Sequence, residues 1–126
     1  MASILIVDDS PTIVRFARTA LEREGHTVEA SRSFVALATL VANNPPDAII
    51  LDLDMPALSG MSVGRLIRKY QSRDIPVIIY SARPAADLLE AGKEIAASAT
   101  LVKNGSADEL RLVVRRTLDS AARRAG

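Results

Sequence analysis

Six residues in this chain have types and positions suited to chemistry: Asp8, Asp9, Asp52, Asp54, Ser81 and Lys103. Each lies at or just past the end of a short apolar run. "ILIV" precedes Asp8 and Asp9, "AIIL" precedes Asp52, "VIIY" precedes Ser81 and "TLV" precedes Lys103. Carboxylates held at short range repel one another and raise each other's pKa. A hard cation such as Mg²⁺ relieves that repulsion and prefers oxygen ligands. A hydroxyl and an ammonium can hold the oxygens of a phosphoryl group, and a carboxylate can be the nucleophile that accepts one. A metal, a nucleophile and charge clamps make up the inventory for phosphoryl transfer. Singly, each residue reads as a solvated strand end. Their joint placement at the ends of several strands is what points to a site.

The elements that must position them follow from the hydrophobic pattern. β-branched and aliphatic runs at 4–7, 26–31, 48–51, 76–80 and 99–102 read as strands. Stretches of helical period lie between them. Ile13, Phe16, Ala17, Ala20 and Leu21 form one apolar face after a Ser10-Pro11 start, and Gly25 closes that helix. Phe34, Leu37, Ala38 and Val41 mark a second helix, and Val63, Leu66, Ile67 and Tyr70 a third. Leu88, Leu89, Ile95 and Ala96 mark a fourth, with Gly92 inside it. Leu110, Val113, Val114 and Leu118 mark the last, with Ser106 as its cap. Five βα units imply an α/β fold with a doubly wound parallel sheet covered by helices on both faces. In such a sheet ligands sit beyond the carboxyl ends of the strands. The first, third, fourth and fifth strands end in the six residues named above; the second offers no comparable group.

Composition narrows the classes further. The 126 residues fit one domain, read as 1–126 with no effector domain attached, and 48% of them are apolar. There is no cysteine and one histidine, His26, which excludes disulfides, thiolate metal sites and multi-histidine zinc sites. No apolar run approaches the roughly 18 residues of a membrane span, and no secretory leader is apparent, so a cytoplasmic location is expected. Residues 1–60 hold eight acids and four bases, whereas 61–126 hold seven acids and twelve bases. The late bases, among them Arg111, Arg115, Arg116, Arg123 and Arg124, lack interleaved aromatics, so they read as a solvated helix face or an acidic partner's surface rather than a nucleic-acid site.

The acidic pair in "LIVDDS", the segment "DLDMPALSG", the "YSA" after the fourth strand and the "VK" after the fifth occur together in order. In this the chain closely resembles the receiver domain of bacterial two-component response regulators over essentially its whole length. The resemblance implies a flavodoxin-like strand order of 2-1-3-4-5. It also implies roles: Asp52 as phosphoacceptor, Asp9 as direct Mg²⁺ ligand with Asp8 as its partner, and the Asp54 backbone carbonyl as a further metal contact. Ser81 resembles the switch hydroxyl, Lys103 the lysine that contacts the phosphate, and Pro56 and Gly60 the loop after the acceptor. A histidine kinase or phosphotransfer protein would supply the phosphoryl group. A downstream protein would read the face of the fourth helix, fifth strand and fifth helix. The chain would not be an enzyme beyond catalysing its own phosphorylation and dephosphorylation.

Two positions depart from the family pattern. Asn104 and Gly105 follow Lys103 where a proline, commonly cis, is usual. Either a trans bond with a rearranged loop or a strained cis bond is expected there. Thr100 stands where many receivers carry a mobile aromatic ring. These departures leave open a pseudo-receiver, an interaction module that does not switch by phosphate. "DLD" also resembles the Asp-x-Asp of haloacid-dehalogenase-type phosphatases, whose second aspartate is a general acid, although that family carries the motif on its first strand. Arg83, two residues after Ser81, either contacts Asp54 across the site mouth or is solvated.

Overall fold

The structure, a computed structural model, describes residues 2–31, 43–55, 58–59 and 75–125. The helices expected around 34–41 and 63–70, and the loop residues Pro56 and Gly60, lie outside the described residues.

The apolar runs form five strands: β1 (Ser3–Val7), β2 (Thr27–Ser31), β3 (Ala48–Leu51), β4 (Val77–Ser81) and β5 (Ala99–Val102). They pair in the order β2-β1-β3-β4-β5, and every pairing is parallel. The expected order is the observed one. β3 and β4 are buried along their full length, which is why their sequences are continuously apolar rather than alternating. β5, at the sheet edge, is only half-buried. A short antiparallel ladder pairs Asp54–Met55 with Leu58–Ser59 just past the acidic segment, an element the hydrophobic pattern did not suggest.

Successive side chains of a strand point to opposite faces, and the core divides accordingly. Ile4, Ile6, Ile50, Ile78 and Tyr80 face α1 (Pro11–Glu22) and α3 (Ala107–Ala125), meeting Ala17, Leu21, Leu110 and Val114. Leu5, Val7, Ile49, Leu51, Val77 and Ile79 face the other way, where α2 (Ala85–Ile95) adds Leu88 and Ile95. Helices therefore cover both faces of the sheet.

Local chemistry sets the helix ends. The Ser10 hydroxyl accepts from the Ile13 backbone N–H at 3.3 Å and Pro11 occupies the first turn, so the expected N-cap is present. At α3 the Ser106 hydroxyl accepts from the Glu109 N–H at 3.2 Å. α2 packs close against β5. A methyl group on Gly92 would lie 3.2 Å from the Thr100 Cγ2, so the glycine permits this close approach of helix to strand.

Candidate functional site: an acidic pocket at the carboxyl ends of the strands

Ladder hydrogen bonds continue one step past the strands and fix the site residues. The Asp52 N–H donates to the Val7 carbonyl at 3.0 Å, and the Lys103 N–H donates to the Ser81 carbonyl at 2.8 Å. Asp52 and Lys103 thus inherit the rigidity of the sheet. Asp8, immediately after β1, accepts from the Ser10 N–H at 2.9 Å, which ties it to the start of α1. Ser81 is the last residue of β4 and is fully buried, within the strand rather than beyond it.

The fold brings Asp8, Asp9 and Asp52 together. One carboxylate oxygen from each lies within 4.8 Å of the others. Asp8 and Asp52 are only 2% and 4% exposed, whereas Asp9 is half-buried. The Lys103 ammonium lies 2.8 Å from Asp8 Oδ2 and 3.5 Å from Asp52 Oδ1, and 5.8 Å from the centre of the Tyr80 ring. One lysine thus contacts two of the three carboxylates. Burial pushes the Asp52 carboxyl above its usual range, and Asp8 adds to the shift. Lys103 and the Asp54 backbone N–H oppose it. Charge of this kind, all-oxygen and incompletely neutralised, fits a small hard divalent cation.

Asp54 sits at the mouth and behaves differently. Its side chain is half exposed and paired with Arg83, whose Nε lies 3.0 Å from both carboxylate oxygens and whose Nη2 reaches Oδ1 as well. The Arg83 hydrogen bonds hold the Asp54 carboxyl below the usual carboxylate range. Of the two placements open for Arg83, contact across the mouth is the one observed. The Ser81 hydroxyl donates to Asp54 Oδ2 at 3.3 Å and accepts from the Arg83 N–H at 3.3 Å.

No described peptide bond is cis, so the Lys103–Asn104 bond is trans. The loop is rearranged in a defined way. Asn104 Oδ1 accepts from the Ser106 N–H at 3.0 Å, and its amide donates to Glu109 Oε2 at 2.8 Å. Gly105 takes a φ of +82° to complete the turn. Where a proline would fix the loop by its ring, Asn104 fixes it by side-chain hydrogen bonds to the start of α3. The role of Asn104 was missed in the sequence, although the Asn-x-Ser and Ser-x-x-Glu spacings carry the signal.

His26 is not free. Its Nδ1 accepts from the Ala2 N–H at 3.2 Å, and burial lowers its pKa. Arg115 pairs with Glu24 beyond the end of α1, and Arg111 pairs with Asp108, so part of the expected solvated basic face is committed within the chain.

A parallel 2-1-3-4-5 sheet with three aspartates and a lysine gathered at its carboxyl edge defines a receiver. The family model for the response regulator receiver domain matches residues 4–115. The chain belongs to the response regulator receiver domain family. Among curated proteins it is similar to the response regulator MprA of Mycobacterium sp. (strain KMS). The two are 36% identical over 118 residues, covering 90% of this chain and 51% of that one. The chain spans about half the length of the curated relatives it matches. Among solved structures it is similar to the Francisella response regulator 1452 receiver domain. There the TM-score is 0.84 and the identity 30%, with 96% of this chain and 99% of that one covered. It is also similar to the chemotaxis protein CheY4 of Vibrio cholerae, with TM-score 0.80, 27% identity, and 93% and 98% covered. Among the described residues no helix is long and apolar enough to cross a membrane.

Proposed function

We propose that this chain takes a phosphoryl group onto Asp52 and signals through altered protein–protein contacts. The observation that carries this reading is the buried Asp52 carboxylate flanked by Asp8, Asp9 and Lys103 at the strand ends. A carboxylate oxygen of Asp52 would attack phosphorus, and the bond from phosphorus to the donor's leaving atom would break, its electron pair staying with the donor. A histidine kinase or phosphotransfer protein is the donor this site suits. The rigid ladder hydrogen bonds of Asp52 and Lys103 hold nucleophile and ammonium in place before the donor arrives. Lys103 would then contact a phosphoryl oxygen, exchanging part of its interaction with Asp8 and Asp52, and the Ser81 hydroxyl would hydrogen-bond another.

Asp8, Asp9, Asp52 and the Asp54 backbone carbonyl would hold Mg²⁺. When bound, the ion neutralises the clustered carboxylates and draws charge from the phosphoryl oxygens.

The chemistry is confined to the chain's own acceptor, without turnover of a separate substrate. The Asp54 ion pair with Arg83 supports this, because a carboxylate held ionised is a poor general acid for a phosphatase of the Asp-x-Asp type. The output would be read by a downstream protein on the face of α2, β5 and α3, in the cytoplasm. Thr100 has no ring to move, so the signal would reach α2 through β4 and β5 backbone shifts rather than a ring flip.

The test is intact mass after incubation with Mg²⁺ and acetyl phosphate, with Asp52→Asn alongside. One added phosphoryl group on the wild type, absent from the variant, is the expected result. No addition under conditions that label a control receiver would replace this reading with a phosphate-independent interaction module.

A further inference from the structure

The Ser81 hydroxyl has a single hydrogen to donate. It is given to Asp54 Oδ2 at 3.3 Å, while the Ser81 oxygen accepts from the Arg83 N–H at 3.3 Å. Arg83 closes the circuit, since its Nε lies 3.0 Å from both Asp54 oxygens. Three residues therefore form a ring of hydrogen bonds. It joins the end of β4, the loop behind it, and the segment two residues past Asp52.

On the acceptor role proposed above, a phosphoryl group on Asp52 needs the same hydrogen. One hydrogen cannot serve both acceptors fully. We propose that the Asp54–Arg83 ion pair is a latch that holds the Ser81 hydroxyl away from Asp52, so that this chain switches by competition between two acceptors for one hydroxyl hydrogen. Asp54 is the competing acceptor. Arg83 is a positioning residue, which pins the Asp54 carboxylate where it can receive the bond.

Two features of the ring suit a latch. Ser81 is 0% exposed, so a hydroxyl released from Asp54 has no bulk water to turn to and must find another acceptor inside the site. The ion pair, by contrast, is half exposed on both sides. Exposed pairs are weakly held and screened by salt. A phosphoryl group carrying close to two negative charges can outcompete such a pair. The latch is thus present in the resting arrangement and held weakly enough to yield. It is a population shift between two partners of one hydroxyl.

The test is binding of beryllofluoride in the presence of Mg²⁺, followed by ¹H–¹⁵N NMR titration. The proteins are the wild type, Asp54→Ala, Asp54→Asn, Arg83→Ala, Ser81→Ala, and Ser81→Ala combined with Asp54→Ala. Asp54→Ala is expected to bind about 5-fold tighter and Arg83→Ala about 2-fold tighter. Asp54→Asn, which keeps an acceptor oxygen but loses the ion pair, is expected to fall between the wild type and Asp54→Ala. In the Ser81→Ala background the Asp54→Ala gain should vanish, because no hydroxyl remains to be released. An equal gain in that background would show that only a charge at the mouth had been removed, and would overturn the latch. So would unchanged or weaker binding by Asp54→Ala. No binding by the wild type would fell the acceptor reading and the latch together. Binding by the wild type without coupling to Ser81 would sink the latch alone.

Discussion

Two carboxylate–cation contacts lie within a few residues of each other and differ in almost every physical respect. Lys103 with Asp8 and Asp52 is the inner one, and Arg83 with Asp54 is the outer one. The inner group is buried and anchored to the sheet by ladder hydrogen bonds from Asp52 and Lys103. The outer pair is half solvated and joins the short ladder at Asp54 to the loop after β4. Burial has moved the Asp52 carboxyl up, while the Arg83 hydrogen bonds have moved the Asp54 carboxyl down. The same residue type has been given opposite proton affinities by its surroundings. Solvation sets how strongly each contact is held.

Removing the inner cation should have the largest effect. Lys103→Ala leaves Asp8 and Asp52 facing each other without compensation, and truncating one partner of a buried pair costs roughly 3 kcal/mol. Urea unfolding at neutral pH is the measurement, and an effect no larger than that of a surface variant would erase the distinction between the two contacts.

Asp52→Asn should act in the opposite direction. An ionised Asp52 is disfavoured by burial and by Asp8, so the neutral amide is expected to stabilise the fold by on the order of 1 kcal/mol, roughly 3–5 °C in the thermal midpoint. The pH dependence has a definite sign. Because the folded-state pKa is above the unfolded value, the folded chain binds the proton more tightly, and the Asp52 contribution to stability improves as pH falls through that raised pKa. The gap between Asp52→Asn and the wild type should therefore narrow from neutral pH toward pH 4. An Asp52→Asn protein less stable than the wild type at neutral pH would mean that Lys103 outweighs burial at this residue.

Asn104→Ala probes the loop that carries Lys103 into the inner group. It removes the acceptor for the Ser106 N–H and the donor to Glu109, a capping arrangement for which about 1 kcal/mol is the ordinary loss. Denaturant melts and hydrogen exchange at the first turn of α3 would register it. The smallest change in stability is expected for Arg83→Ala, within about 0.5 kcal/mol, because the pair it breaks is exposed. A loss above 1 kcal/mol in the same urea assay would mean that the outer pair is structural rather than exchangeable.

How much of this was legible beforehand differs between the sheet and the mouth. "ILIV", "AIIL" and "VIIY" could be read as buried parallel strands because a strand covered on both faces must be apolar at every position. Once those strands were placed, Asp8, Asp52 and Lys103 fell on one edge, since each directly follows a strand of one parallel sheet. Ser81 was read as following its strand and proved to be its last residue, a one-residue shift that comes from its pairing with Val102. The ladder at Asp54–Met55 was not legible, because two-residue strands leave no periodic trace. Contact between Arg83 and Asp54 was one of two open readings, and sequence spacing could not choose between them.

The sequence by itself determined the five strands, the two-sided core and the set of residues delivered to the carboxyl edge, while the strand order was implied by the family resemblance. The strands, the core and the edge residues follow from hydrophobic period and chain connectivity, which are local properties that five parallel strands convert into one geometry. Only the tertiary structure decided which acceptor holds the Ser81 hydrogen, which carboxylates Lys103 touches, and that Asn104 replaces a proline's rigidity with hydrogen bonds. The reason is range. A hydrogen bond or ion pair depends on a few tenths of an ångström and on the exclusion of water, and these are set by packing between segments far apart in the chain.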